Sequence, residues 1–274
     1  MINRIILILF VSTVLLSCFR NSESEFQYYS DGRVQREIRF INDSTEVALT
    51  YFEAGGLKDS ITMINGKISG RNKKYYLNGN LEKDCFWKDG VLNGPCRSFY
   101  QSGNLMSVVT YDLNINAGNS YEYFDLPGEK IQYLGNYAKV RGKKWVNYQT
   151  WYDSLGNIQK ATVRIHEVNG LKVVSLNDSL KITFEMDHLE YPLLRVFIGD
   201  YNKEYNLPNK STLRVFNGKV STIVAYIKPK QVGQQTARGY IQNFKILQKF
   251  SDGTYKTEGK DIYWSYDYEV KAKL

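Results

Sequence analysis

Three cysteines and two histidines are the whole supply of thiolate ligands and of imidazole bases in these 274 residues. Cys85 and Cys96 flank an Asp89-Gly90 dipeptide of the kind that turns a hairpin. A two-residue turn would pair residues whose numbers sum to 179 and leave the two cysteines diagonal. A four-residue loop over Asp89–Leu92 would set them opposite each other, within reach of a disulfide. Both readings stay open here, a staple across one hairpin or two buried thiols. Two cysteines without a nearby histidine do not make a tetrahedral zinc site. His166 and His188 lie 22 residues apart, outside any metal-ligand spacing, and each is expected singly at a strand position. Asp43, Asp59 and Asp84 are expected as turn or strand-edge carboxylates rather than acid–base pairs. No G-x-S-x-G, H-E-x-x-H, Walker loop or G-x-G-x-x-G occurs, so no catalytic, metal or cofactor residue is assigned. The expected function is non-catalytic, with an enzyme in the carboxyl-terminal half as the lesser alternative.

The elements that hold these residues follow from a repeat. Tyrosine (22) and glycine (21) are plentiful while proline (5) is scarce, which favours strands joined by tight turns. Aromatic pairs occur at Tyr28-Tyr29, Tyr51-Phe52, Tyr75-Tyr76, Phe99-Tyr100, Tyr123-Phe124 and Trp151-Tyr152, at spacings of 23, 24, 24, 24 and 28. Gly32, Gly55, Gly79 and Gly103 follow the first four pairs at a fixed offset; Pro127-Gly128 and Gly156 serve the last two. An apolar residue comes next each time: Val34, Leu57, Leu81, Leu105, Ile131 and Ile158. Asn65-Gly66 and Asp89-Gly90 lie between the pairs, also 24 apart, as do Gly70, Gly94 and Gly118. One turn per Asn-Gly, Asp-Gly or Ser-Gly gives an up-and-down antiparallel meander with two strands in each 24-residue unit.

The phrases GKISGRNKKYYLNGNL and GVLNGPCRSFYQSGNL resemble the MORN-type repeat of bacterial proteins. The resemblance spans about residues 26–158 and is cleanest from 51 to 124, with atypical units at the end of the array. It implies an elongated, twisted sheet of hairpins used for protein interaction and, in some proposals, for lipid contact. Some relatives carry an antitoxin label, which is taken here as a name for the repeat. Because neighbouring residues of a strand point to opposite faces, each aromatic pair is expected to place one ring in the seam between hairpins and its neighbour on an exposed face. Tyr75, Tyr76, Phe99 and Tyr100, beside Arg71, Lys73 and Lys74, form the expected binding face.

The amino terminus has a different character. MINR supplies a positive start, and Ile5 to Leu16 is a 12-residue apolar run ending at Ser17-Cys18. That is the length of a secretory signal, well short of the roughly 20 residues of a spanning helix. Leu15-Leu16-Ser17-Cys18 resembles the lipobox of bacterial lipoproteins, which implies cleavage after residue 17 and lipidation of Cys18. Residues 18–25 then read as a polar tether whose Glu23 and Glu25 resemble an acidic surface-export signal. The expected location is the bacterial outer membrane, on its periplasmic side or at the cell surface. There an oxidising environment favours a disulfide. Removing the signal takes away Arg4 and lowers the formal charge from +8 to +7. That surplus suits an acidic partner, an anionic lipid or an envelope glycan; nucleic acid is not an expected partner of an exported chain.

From about residue 159 the phrase stops and short alternating runs take over, separated by Asn-Gly and Asn-Asp. These predict a β-sandwich over 159–274, immunoglobulin-like or similar. Trp264, Tyr266 and Tyr268 alternate and share one strand face, read foremost as a core row. The chain as a whole is expected to be all-β: a repeat meander followed by a sandwich. Its expected partner is an unidentified envelope protein, with anionic lipid or glycan as the alternative.

Overall fold

Each aromatic-aromatic-x-x-Gly phrase builds one hairpin loop. In the first, the Tyr29 N–H donates to the Arg33 carbonyl and the Gly32 N–H donates to the Tyr29 carbonyl, with Gly32 left-handed at φ +84°. This is the three-residue hairpin connection, a turn closed by a left-handed glycine. The same two bonds recur at Phe52/Gly56 and Gly55/Phe52, at Tyr76/Asn80 and Gly79/Tyr76, and at Tyr100/Asn104 and Gly103/Tyr100. The computed structural model describes residues 24–218 and 221–272. Residues 1–17, Cys18 and most of the tether lie outside the described residues.

The chain divides into two compact units between Val91 and Leu92. The first holds β1 (Glu25–Tyr28), β2 (Val34–Asn42), β3 (Thr45–Tyr51), β4 (Leu57–Ile64), β5 (Lys67–Ile68), β6 (Gly70–Tyr75) and β7 (Leu81–Lys88). They pair antiparallel in chain order, with the short β5 also on β4. The second begins with a meander of β8 (Val91–Phe99), β9 (Leu105–Asp112), β10 (Ile115–Tyr123), β11 (Ile131–Val140), β12 (Lys143–Tyr152) and β13 (Ile158–Ala161). Among the described residues the only helical segment is a single 3-10 turn, Lys210–Thr212.

Every repeat hairpin opens with the same bulge. The first aromatic pairs with the apolar residue after the loop: Tyr28 with Val34, Tyr51 with Leu57 and Tyr75 with Leu81 in the first unit. In the second unit Phe99 pairs with Leu105, Tyr123 with Ile131 and Tyr152 with Ile158. The register then slips by one residue in all six. A bulge at a fixed place in each repeat increases the right-handed twist at that place. The sixth pairing corrects the reading of the sequence. Tyr152, not Trp151, holds the first position, and Asp153 holds the second, its N–H donating to the Asn157 carbonyl. That is why Gly156 sits one residue further from its aromatic pair than its counterparts.

Four of the alternate turns are two-residue turns with both residues left-handed: Asn65-Gly66, Asp89-Gly90, Leu113-Asn114 and Arg141-Gly142. Leu113-Asn114 stands 24 residues after Asp89-Gly90 without a glycine, and Leu113 accepts φ +50° at a steric cost that asparagine or glycine would avoid. Such turns also dock on the neighbouring hairpin. The Gly90 N–H donates to the Ile68 carbonyl and, 24 residues on, the Asn114 N–H donates to the Leu92 carbonyl.

Beyond β13 the second unit changes architecture. Two further sheets form from β14 (Arg164–Gly170), β15 (Val173–Ser175), β16 (Leu180–Asp187), β17 (Leu193–Gly199), β18 (Arg214–Asn217), β19 (Thr222–Ile227), β20 (Gly233–Lys249) and β21 (Tyr255–Lys271). One sheet is ordered β14-β16-β19 and the other β15-β21-β20-β17-β18. All their pairs are antiparallel except β15 with β21. Strict alternation along β16 buries Leu180, Ile182, Phe184 and Met186, and the same period on β21 buries Ile262, Trp264, Tyr266, Tyr268 and Val270. These residues share one core with Val196, Ile223 and Ile241. Trp264 packs on Phe184 with ring centroids 4.7 Å apart, so the aromatic row of β21 is core.

Candidate functional site

Alternation along β6 sets Arg71, Lys73 and Tyr75 on one face and Asn72 and Lys74 on the other. Lys74 therefore does not join Arg71 and Lys73, contrary to the sequence-based grouping. On β7, Phe86 lies opposite Arg71 and Asp84 opposite Lys73, so this face of the first unit carries Arg71, Lys73, Asp84 and Phe86. Phe86 is exposed, whereas Asp84 is buried.

Two cations of the hairpin, Arg71 on this face and Lys74 on the other, are paired with carboxylates. Arg71 Nε donates to Asp84 Oδ1 at 2.7 Å and Nη2 donates to Asp84 Oδ2, a bidentate pair. Lys74 Nζ donates to Glu82 Oε1 at 2.8 Å. The Asp84 hydrogen bond raises the Arg71 pKa, and the Glu82 hydrogen bond raises that of Lys74, so both stay cationic and both stay matched. Asp84, read from sequence as a turn or strand-edge carboxylate, is a buried mid-strand partner of Arg71. Its signal was available: a hairpin folded about Gly79 brings residue 84 beside residues 71 and 73.

The aromatic pairs do not split between seam and exposed face as expected. Tyr75, Tyr76, Phe99 and Tyr100 are all half-buried. The second ring of each pair starts the loop beyond the strand end rather than continuing the strand alternation. In two of the loops the hydroxyl of this second ring has structural work. Tyr29 Oη donates to the Tyr51 carbonyl at 2.7 Å, and Tyr100 Oη donates to the Tyr123 carbonyl at 2.7 Å. In each case the accepting carbonyl belongs to the first aromatic of the next repeat. Burial pushes the Tyr100 hydroxyl pKa up, which keeps this donor protonated. Ser102 Oγ and Asn104 Nδ2 both donate to Asp125 Oδ1, at 2.5 and 2.8 Å, tying consecutive loops together.

Cys85 is buried on β7 and Cys96 half-buried on β8. His166 Nδ1 lies 3.0 Å from Asp187 Oδ2, which also accepts from Arg164. His188 follows β16 with φ +52° rather than lying on a strand, and the two imidazoles share no ligand set. Among the described residues no group of three or more His, Cys, Asp or Glu side chains is placed to hold a metal ion.

What this arrangement can do is present a pitched surface of half-buried tyrosines, matched ion pairs and an exposed phenylalanine. No curated protein matches the chain. Residues 68–89 and 92–113, each one hairpin repeat with its loop and bulge, match the family model of the MORN repeat variant, so this chain carries MORN repeats.

Proposed function

We propose that this chain is a non-catalytic envelope lipoprotein, anchored through Cys18, whose repeats over 26–158 bind another protein. Residues 159–274 form its second, sandwich-type domain in this reading. MORN repeats generally serve protein or membrane binding and are generally non-catalytic. The observation that carries the choice of protein over lipid is the pairing of Arg71, the guanidinium of this face, with the buried Asp84. A face that attracts anionic headgroups needs several surplus cations, whereas this one leaves Lys73 alone beside the exposed Phe86, which suits a protein interface. Several acyl chains on Cys18 would give durable anchoring, at about 0.8 kcal/mol per buried CH₂. Crosslinking of the full-length protein in intact cells tests the reading. One discrete protein adduct is expected, recovered with the outer membrane and lost in the Lys73→Glu/Phe86→Ala variant. An adduct unchanged in that variant, or recovery of the protein from cytoplasm without lipid on Cys18, would refute it.

The same reading includes a disulfide between Cys85 and Cys96. The 24-residue period carries these positions onto Val109 and Ser120, which lie directly opposite each other on β9 and β10. There the register shifts between Asn116 and Ser120, around Gly118, and this shift sets Val109 against Ser120. Gly94 occupies the equivalent position 24 residues earlier, also with positive φ. The two-residue turn at Asp89-Gly90 and opposed cysteines are thus compatible, which simple counting from the turn does not reveal. Closing a loop of this length stabilises by about 3 kcal/mol in the chain-entropy account. The Cys85→Ala/Cys96→Ala variant is expected to lose about that much in urea unfolding. Alkylation of both thiols in the native, unreduced protein would exclude the bond.

A further inference from the structure

Arg71 and Lys74 of the repeat hairpin are matched by carboxylates; two cations at one end of the carboxyl-terminal sheets are not. A cavity of about 360 Å³ opens there, where β17, β18 and β19 reach their ends beside the start of β20. Arg214, Lys228 and Lys230 line it against a single carboxylate, Asp200, a surplus of two positive charges. Lys230 Nζ donates to Asp200. Arg214 and Lys228 have no carboxylate partner among the described residues. Two unmatched cations lining one concavity repel each other, and an oxyanion bound there relieves that repulsion while taking paired donors from the guanidinium.

The rest of the lining describes the body that carries the anion. Tyr226 lines the cavity and is about half exposed, so its ring is open to a ligand. Tyr268 is buried in the wall, its hydroxyl donating to Gln235 Oε1 at 3.1 Å, and burial raises its pKa so that it remains a donor. Hydroxyls and amides with one aromatic face suit a hydroxylated ring, and the volume is at the small end of ligand sites, about right for one sugar-sized group.

We propose that this cavity binds an oxyanion borne on a small hydroxylated body, a phosphorylated or carboxylated sugar or the equivalent lipid headgroup. The site is separate from the repeat surface and does not depend on the reading of that surface.

Calorimetric titration of the full-length protein at low salt tests it, with glucose 6-phosphate, glucuronate and glucose as probes. Sedimentation with phosphatidylglycerol and phosphatidylcholine vesicles forms the second arm, using the Cys18→Ser form so that acyl chains do not decide the result. Binding of the two charged sugars at least tenfold tighter than glucose is expected, weakening with salt. It should fall at least tenfold in Arg214→Gln/Lys228→Gln and persist in Lys228→Arg. The two altered residues are exposed, and an unchanged far-ultraviolet spectrum and unfolding midpoint will show that the double variant is folded. Binding confined to phosphatidylglycerol vesicles and lost in the double variant assigns the oxyanion to a headgroup and supports the same site. Equal binding of glucose and glucose 6-phosphate, indifference to the double variant, or no binding in either arm overturns the proposal.

Discussion

Replacing Asn243 by alanine is expected to cost about 3–5 kcal/mol of folding stability, a large share of the total for a domain of this size. Asn243 is fully buried on β20, and its carboxamide makes four hydrogen bonds, all to backbone. Oδ1 accepts from the N–H groups of Glu190 and Tyr191, at 2.9 and 3.0 Å. Nδ2 donates to the carbonyls of Tyr191 and Leu193, at 2.6 and 3.1 Å. The segment entering β17 thus takes its hydrogen bonds from one side chain instead of from a strand. Removing that side chain leaves four backbone groups without partners, each costing about 1–3 kcal/mol where water cannot enter and less where it can. Asn243→Asp keeps the two acceptor contacts but sets a carboxylate against two carbonyl oxygens, so it is expected to be no better than alanine. Urea unfolding of both variants reads this out. A loss below about 1 kcal/mol for Asn243→Ala would show that the 190–193 segment repacks around the gap.

How far such features could be read in advance depends on the distance in sequence over which they act. The repeat was legible because everything defining it is local: the aromatic, the glycine three residues on and the apolar residue after it form one loop. The core row of β21 was legible for the same reason, since alternation of Trp264, Tyr266 and Tyr268 needs no knowledge of the partner sheet. The bulges were not foreseen. A one-residue slip leaves no mark on composition and appears only when both strands are aligned, which is also why Trp151-Tyr152 was set one residue out of register. The binding face was half legible. Its residues are present, but Lys74 falls on the opposite face, and Asp84 and Glu82 neutralise the cations that made the surface look basic. Lys228 and Lys230 stand together in one Lys-Pro-Lys loop, but their meeting with Arg214 at the start of β18 could not be seen in sequence, because it depends on how the strands are arranged.

Asn147 carries the second large effect, and it acts where the meander of the second unit meets β21. Strand β21 pairs with β20 along one edge, while β15 covers the other edge only at Glu269, Val270 and Lys271. The uncovered part of that edge is a row of backbone groups that would otherwise invite another strand. Side chains of β12 fill it. Trp145 Nε1 donates to the Asp261 carbonyl at 2.9 Å, and Asn147 Nδ2 donates to the Tyr263 carbonyl at 2.9 Å. Asn147 Oδ1 accepts from the Tyr263 N–H at 2.8 Å, so its carboxamide pairs with Tyr263 as a strand residue would. The same Nδ2 donates to Asn136 Oδ1 at 2.8 Å, and Trp145 packs edge-on against Tyr263 with centroids 5.5 Å apart. Asn147→Ala is expected to lose about 2–4 kcal/mol, because two buried backbone groups of Tyr263 are left unpaired. Asn136→Ala removes two half-exposed amide contacts, to Asn147 and Asn119, and leaves the Tyr263 backbone paired, so it is expected to lose about 1 kcal/mol. The variant of Asn147 is also expected to self-associate at high concentration, since the bare edge of β21 then offers a template for pairing. Unfolding in urea together with analytical ultracentrifugation separates the two consequences. Equal losses for the Asn147 and Asn136 variants would mean that the amide pair, rather than the capped edge of β21, carries the stability.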